Sequence, residues 1–145
     1  MELGCGWGLA GIFCAKNRQA EVTSVDIDEE VFPYLRMHTQ LNHVEVSTMH
    51  LGFDDLAGDQ LKGIDVLIGA DICFLDSLAD SLKGLIGRAL REGVQSVVIA
   101  DPGRTSFEKL GRHFVREMRG EVRGRSVSRP YPIEGRILRI GAPPH

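Results

Sequence analysis

Short apolar runs alternate with stretches of helical spacing along this chain, the pattern of repeated strand–helix–strand units and a largely parallel sheet. Gly4, Gly6 and Gly8 stand near its start and predict a tight turn, followed by a short helix of small and apolar residues over Leu9 to Asn17. Val22 to Asp26 reads as a strand ending on an acid. Asp28 predicts the cap of the next helix, with Glu29 and Glu30 suited to its first turn. Pro33 requires that helix to start late or bend near its beginning. It runs to about Asn42 and is expected to bury Val31, Leu35, Met37 and Leu41.

Val44 to Met49 alternates, predicting a third strand, and Gly52 to Asp55 follows as a polar turn. Ile64 to Ala70 is nearly continuous in apolar residues, as expected of a strand buried on both faces. Leu78, Leu82, Leu85, Ile86 and Leu90 recur at helical spacing within Leu75 to Leu90, and Gly93 predicts the stop. Ser96 to Ala100 is the next buried strand, closed by Asp101-Pro102-Gly103-Arg104. Thr105 or Ser106 caps a helix to about Met118, with Phe107, Leu110, Phe114 and Met118 on one face. Val122 to Val127 and Arg136 to Ile140 are short alternating strands joined through Arg129 to Gly135, and predict an antiparallel pair. No repeat, low-complexity tract or linker divides the chain, so residues 1–145 are expected to form one domain.

Composition adds limits. With 43% apolar and 26% charged residues the chain is of ordinary globular type. No apolar run approaches the roughly 18 residues of a membrane span, and no signal peptide precedes the glycine turn, so a membrane partner is not expected. Cys5, Cys14 and Cys73 are odd in number and lack CxxC spacing, which predicts free thiols and a cytoplasmic location. His38, His43, His50, His113 and His145 show no metal-ligand spacing, and no metal site is expected. The net charge of −3 conceals an asymmetry: residues 1–103 carry 7 Lys/Arg against 16 Asp/Glu, and residues 104–145 carry 10 against 4. Basic residues on exposed strands and a helix face account for this; a basic rim for an acidic or phosphate-bearing partner is the sharper alternative. Nucleic acid is not expected, because no aromatic residues interleave with the basic ones.

The glycine turn has two literal readings. Glu2, Gly4, Gly6 and Gly8 fit an acidic-x-Gly-x-Gly-x-Gly turn that binds S-adenosylmethionine. Gly6-Trp7-Gly8-Leu9-Ala10-Gly11 also fits the dinucleotide fingerprint, with Asp26 about 20 residues on as ribose ligand. Three features favour the first. Glu2 stands where the dinucleotide pattern wants an apolar strand residue. Phe53-Asp54 follows the third strand, where a methyltransferase places an acid near the adenine amine. The C-terminal antiparallel pair is foreign to a plain dinucleotide domain.

The chain resembles a class I S-adenosylmethionine-dependent methyltransferase from the glycine motif to its last strand pair. Within that superfamily it is similar to the family 16 protein-lysine methyltransferases and to bacterial nicotinamide N-methyltransferase-like relatives. The carrying residues are Glu2 to Gly8, Val25-Asp26, Gly69 to Phe74 and Ala100 to Arg104. The group's fourth strand usually ends Asp-x-x-Tyr; here it ends Asp71-Ile72-Cys73-Phe74. Asp-Pro-Gly-Arg resembles the lysine methyltransferases that act on the electron-transfer flavoprotein β subunit.

The resemblance implies an α/β, doubly wound Rossmann-like sheet, mostly parallel with a C-terminal antiparallel pair. Its first strand is expected to be truncated here to a stub before Gly4, without the group's usual N-terminal segment. It implies S-adenosylmethionine as cofactor, held by Glu2, Gly4, Gly6, Trp7, Gly8, Asp26, Phe53, Asp54, Ala70 and Asp71. Asp26 would accept both ribose hydroxyls, and Asp54 with the Phe53 N–H would read the adenine edge, Asp55 being the competing candidate. Asp71 and Phe74 are the implied catalytic positions, the first holding the acceptor amine and the second walling the pocket. Phe74 and Arg104 would bind substrate. A purely structural part stays open for four of these: Asp71 capping the next helix or bonding loop amides, Arg104 bracing its loop, Asp54 as a solvated turn acid, and Trp7 in packing. The implied activity is N-methylation of a protein side chain, lysine foremost, with a small nicotinamide-like amine as alternative acceptor. A cofactor-binding module without catalysis and an NAD-dependent oxidoreductase are the other readings, and a homodimer is compatible with all of them.

Overall fold

In the computed structural model, which describes residues 1–141, strands and helices alternate as the sequence pattern requires. They are β1 (Glu2–Leu3), α1 (Leu9–Arg18), β2 (Thr23–Asp26), α2 (Phe32–Asn42), β3 (Ser47–His50), β4 (Val66–Ala70), α3 (Asp76–Arg91), β5 (Ser96–Asp101), α4 (Thr105–Met118), β6 (Glu121–Val127) and β7 (Ile133–Gly141). His145, one of the five histidines weighed above, lies outside the described residues. The seven strands form one sheet in the order β3-β2-β1-β4-β5-β7-β6. Strands β1 to β5 are parallel to one another, while β7 runs antiparallel to both β5 and β6. Helix α1 packs beside α2 and α3 beside α4, giving the two layers of a doubly wound fold. The strand order reverses between β1 and β4, and ligand crevices form at the carboxyl ends of strands around such a reversal.

Strand β1 has only two residues, yet it pairs on both sides: Glu2 opposes Ser24 and Ile68, and Leu3 opposes Val25 and Gly69. Leu3 is completely buried in the main core with Leu67, Leu85, Ile86, Val97, Ile99 and Phe107. The inward stripes of α3 (Ala79, Leu82, Leu85, Ile86, Ala89) and α4 (Phe107, Leu110, Phe114) close that core from one side.

Several local expectations need correction. Helix α2 is entered through a 3₁₀ turn, Glu29–Val31, and it is this turn that Asp28 caps, accepting from the Glu30 N–H at 3.0 Å. The inward face of α2 then recurs at Phe32, Leu35 and Thr39, which turns Met37 (59% exposed) and Leu41 (73%) to solvent. Strand β3 starts at Ser47, because the Val44 N–H still bonds the Thr39 carbonyl at the end of α2. Strand β4 is fully buried on one face, at Leu67 and Gly69, and only half-buried on the other, at Val66 and Ile68, although α1 also contacts this strand. Helix α4 has Arg104 at its N-cap with no side-chain cap, since the Ser106 hydroxyl turns inward and donates to the Cys73 carbonyl. Strand β7 begins at Ile133, three residues early, because Ile133, Glu134 and Gly135 continue the ladder opposite Val127, Ser126 and Arg125.

Candidate functional site

Directly after β1 the backbone takes positive φ at Gly4 (+55°), Gly6 (+50°) and Gly8 (+76°), a conformation open to glycine at little strain. The three glycines face different surroundings. A Cβ on Gly4 would lie 2.7 Å from Ile72 Cγ2, and one on Gly8 would lie 2.7 Å from Leu35 Cδ1. A Cβ on Gly6 would meet nothing within 4 Å, so Gly6 marks the open side of the turn.

Beneath the turn sits the Glu2 carboxylate. It accepts from the Gly11 N–H (3.0 Å) in the first turn of α1 and from the Ser24 hydroxyl (2.7 Å) of β2. Glu2 is therefore a buried brace joining strand, turn and helix, and its carboxylate points away from the open side. Burial pushes its carboxyl above the ordinary range, against the pull of these hydrogen bonds.

Asp26, the last residue of β2, stands beside the turn. One carboxylate oxygen accepts from the Gly6 N–H (2.9 Å) and the other from the Asp28 N–H (3.1 Å). Each oxygen keeps a further lone pair, and the group is half-exposed. The neighbouring Cys5 thiol is pushed up to about 12, first by burial and then by the Asp26 and Glu2 charges, so it stays protonated.

On the other flank, β4 ends at the exposed Ala70, and Asp71 follows with φ +63°, its N–H bonded to the Ala100 carbonyl at 2.9 Å. The Asp71 side chain is 69% exposed and pairs through Oδ1 with Arg104 Nη2. It does not cap α3, whose N-cap is Leu75. Arg104 in turn gives Nη1 to Asp101 Oδ2 at 3.0 Å. Asp101, at the end of β5, is wholly buried at its side chain, and its Oδ1 takes the Gly103 and Arg104 N–H groups, both at 2.8 Å. Arg104 thus joins a fixed interior carboxylate to an exposed one. Burial and the Asp101 charge push the nearby Cys73 thiol up to about 12. Phe74 and Leu75 are both exposed beside Asp71.

The remaining candidates are Phe53, whose ring comes within 3.7 Å of the position of a Cβ on Gly4, Asp54, Asp55 and Trp7 of the turn itself. Asp54 accepts from the Ser81 hydroxyl of α3 at 2.8 Å, while the Phe53 carbonyl takes Arg88 Nη2 at 2.6 Å. Asp55 Oδ2 and Ile27 Cδ1 both approach Gly52, placing Asp55 on the side of the loop that faces the end of β2. Trp7 is 54% exposed and stacks on Tyr34 and His38 of α2, each at 5.6 Å between ring centres.

These residues fit S-adenosylmethionine. The open side of Gly6 gives backbone-close room, and Asp26 offers free lone pairs beside it for two hydroxyls. An exposed carboxylate lies across the turn at Asp71. A family model described as lysine methyltransferase matches residues 1–120.

The chain belongs to that family. This lysine methyltransferase family member is 28% identical over 108 residues to the electron transfer flavoprotein beta subunit lysine methyltransferase of Danio rerio, covering 74% of this chain and 41% of that protein. The Xenopus laevis protein of the same name is 28% identical over 107 residues, covering 74% and 43%. The chain spans about two fifths of the length of these curated relatives. Among solved structures, the methyltransferase domain of bacterial CtHen1 superposes with a TM-score of 0.73 at 14% identity, covering 97% of this chain and 88% of that one. A Pyrococcus abyssi tRNA (uracil-54, C5)-methyltransferase, determined with S-adenosyl-L-homocysteine, gives 0.69 at 17% identity, covering 96% and 33%. At such identities the likeness shows the shared fold.

For this family member, sequence reasoning overlooked Asp101, Ser81 and Arg88. Asp101 had a signal: an acid opening Asp-Pro-Gly-Arg after a buried strand is suited to bonding the N–H groups two and three residues on. Ser81 and Arg88 gave none, since nothing in the pattern of α3 tells which polar residue reaches the loop after β3.

Proposed function

We propose that this chain is an S-adenosylmethionine-dependent N-methyltransferase whose acceptor is a protein lysine side chain. The observation that carries this reading is the placement of two carboxylates on either side of the glycine turn. Asp26 is locked to the Gly6 N–H, and the exposed Asp71 ends the neighbouring β4, in a chain that matches the lysine methyltransferase model over residues 1–120. When bound, the cofactor supplies a methyl group on a sulfonium sulfur. Gly4, Gly6 and Gly8 leave room for its amino-acid part, and Asp26 takes the ribose hydroxyls. Asp71 receives and orients the acceptor amine, while Phe74 and Leu75 supply apolar surface beside it. In-line displacement onto a sulfonium depends on such positioning more than on a strong base.

The curated relatives are named for lysine methylation of the electron transfer flavoprotein beta subunit, and that subunit is the acceptor we infer. The three free thiols favour a reducing compartment, the cytoplasm in our reading. The test is transfer of labelled methyl from S-adenosylmethionine to the purified flavoprotein subunit, with the modified residue mapped by mass spectrometry. Label on lysine Nζ supports the reading; transfer to nicotinamide and not to protein would replace it with the small-amine alternative.

A further inference from the structure

Asp71 presents a difficulty. A lone carboxylate facing an amine favours the ammonium form, whereas the nucleophile must be the neutral amine with a free lone pair. Arg104 meets that difficulty directly. Its Nη2 takes Asp71 Oδ1, leaving Oδ2 open, while Nη1 is anchored at 3.0 Å on the wholly buried Asp101. Asp101 is fixed in turn by the Gly103 and Arg104 N–H groups. The guanidinium is thus held next to the carboxylate that receives the acceptor.

We propose that Arg104, anchored by Asp101, is a positioning residue that orients Asp71 and lowers the basicity of the acceptor amine bound there. This rests on the lysine reading above. Arg104 occupies one oxygen of Asp71 and offsets part of its charge. The amine then hydrogen-bonds to the other oxygen without being held as ammonium, and its proton leaves to solvent. The amine lone pair next forms the N–CH3 bond as the S–CH3 bond breaks, the bonding pair staying on sulfur, and the methylated ammonium sheds its extra proton to solvent. Among the described residues, the other charged or titratable groups around Arg104 are the buried Cys73 thiol, which is protonated, Glu108 one turn along α4, and Arg136 of β7 beside Gly103. Glu108 and Arg136 pair with each other at 2.6 Å, so neither substitutes for Arg104.

The experiment measures kcat at saturating substrate against pH for the intact chain with labelled S-adenosylmethionine and the purified flavoprotein beta subunit, comparing wild type with Arg104→Gln and Asp101→Asn. S-Adenosylhomocysteine affinity is measured in parallel by calorimetry. The expected result for Arg104→Gln is a shift of the rising limb to higher pH by about one unit, the size of effect a neighbouring charge has on an amine. The deficit at neutral pH would then recover in alkali. Asp101→Asn, which frees Arg104, should shift the limb in the same direction by less. Both variants should keep the affinity for S-adenosylhomocysteine. A loss equal at every pH, an unchanged profile, or a parallel loss of S-adenosylhomocysteine binding would each overturn the proposal while leaving lysine methylation in place. Absence of lysine labelling by the wild-type chain would overturn the lysine reading and this inference with it.

Discussion

The Gly6 N–H donates to the Asp26 carboxylate at 2.9 Å, joining the turn after β1 to the end of β2. The two halves of the cofactor site are therefore one hydrogen-bonded unit: the acid that would take the ribose is aligned by the backbone that would take the amino-acid part. Asp26→Ala removes the ribose acceptor and leaves the Gly6 N–H without its partner. It should weaken S-adenosylhomocysteine binding by about 2–3 kcal/mol, roughly 30- to 150-fold, the worth of losing charge-assisted hydrogen bonds. Calorimetric titration checks this, and unchanged affinity would remove Asp26 from the site.

The glycines of the turn should separate binding from stability. A methyl group at Gly6 meets nothing, so Gly6→Ala should lower stability only by the strain of positive φ, about 1–2 kcal/mol, while filling the side proposed above for the cofactor. Gly8→Ala adds a clash with Leu35, a fully buried residue, and should destabilise by more, about 2–4 kcal/mol. Denaturant melts with and without S-adenosylhomocysteine distinguish the two: the Gly6 variant should melt closer to wild type than the Gly8 variant does and gain nothing from ligand.

Glu2 should leave a mark on the pH dependence of stability. Burial raises its carboxyl in the folded state, so on raising the pH the unfolded chain releases this proton first. The contribution of Glu2 is full below the ordinary glutamate range and is lost as pH rises through the raised folded value. Glu2→Gln keeps an acceptor for the Gly11 N–H and does not titrate. The Tm of wild type relative to this variant should therefore fall as the pH is raised from the acid side toward neutrality. A wild type that gains on the variant over that interval would show that the hydrogen bonds from Ser24 and Gly11 outweigh burial.

Where the chain has strong periodicity, its sequence was readable: α3 and α4, the β5 strand and the terminal antiparallel pair lie close to their expected positions. Two kinds of feature were not. Burial along α2 follows the helical period through Phe32, Leu35 and Thr39, which leaves Met37, two residues from Leu35, on the opposite face. The site residues were legible as motifs, yet their partners were not. The glycine turn pointed to Asp26, but Glu2 reads the same in sequence whether it faces a cofactor or, as here, the N–H of Gly11. The Asp101–Arg104–Asp71 chain joins residues 30 positions apart, and such pairing follows from strand order and not from local spacing.

The glycine turn and Asp26 are read here as a site for S-adenosylmethionine and not for a dinucleotide, and one measurement separates the two. The chain is titrated calorimetrically with S-adenosylhomocysteine and, separately, with NAD. The expected result is saturable binding of one S-adenosylhomocysteine per chain, no heat with NAD, and loss of the first signal in Asp26→Ala. Saturable binding of NAD with no response to S-adenosylhomocysteine would contradict it.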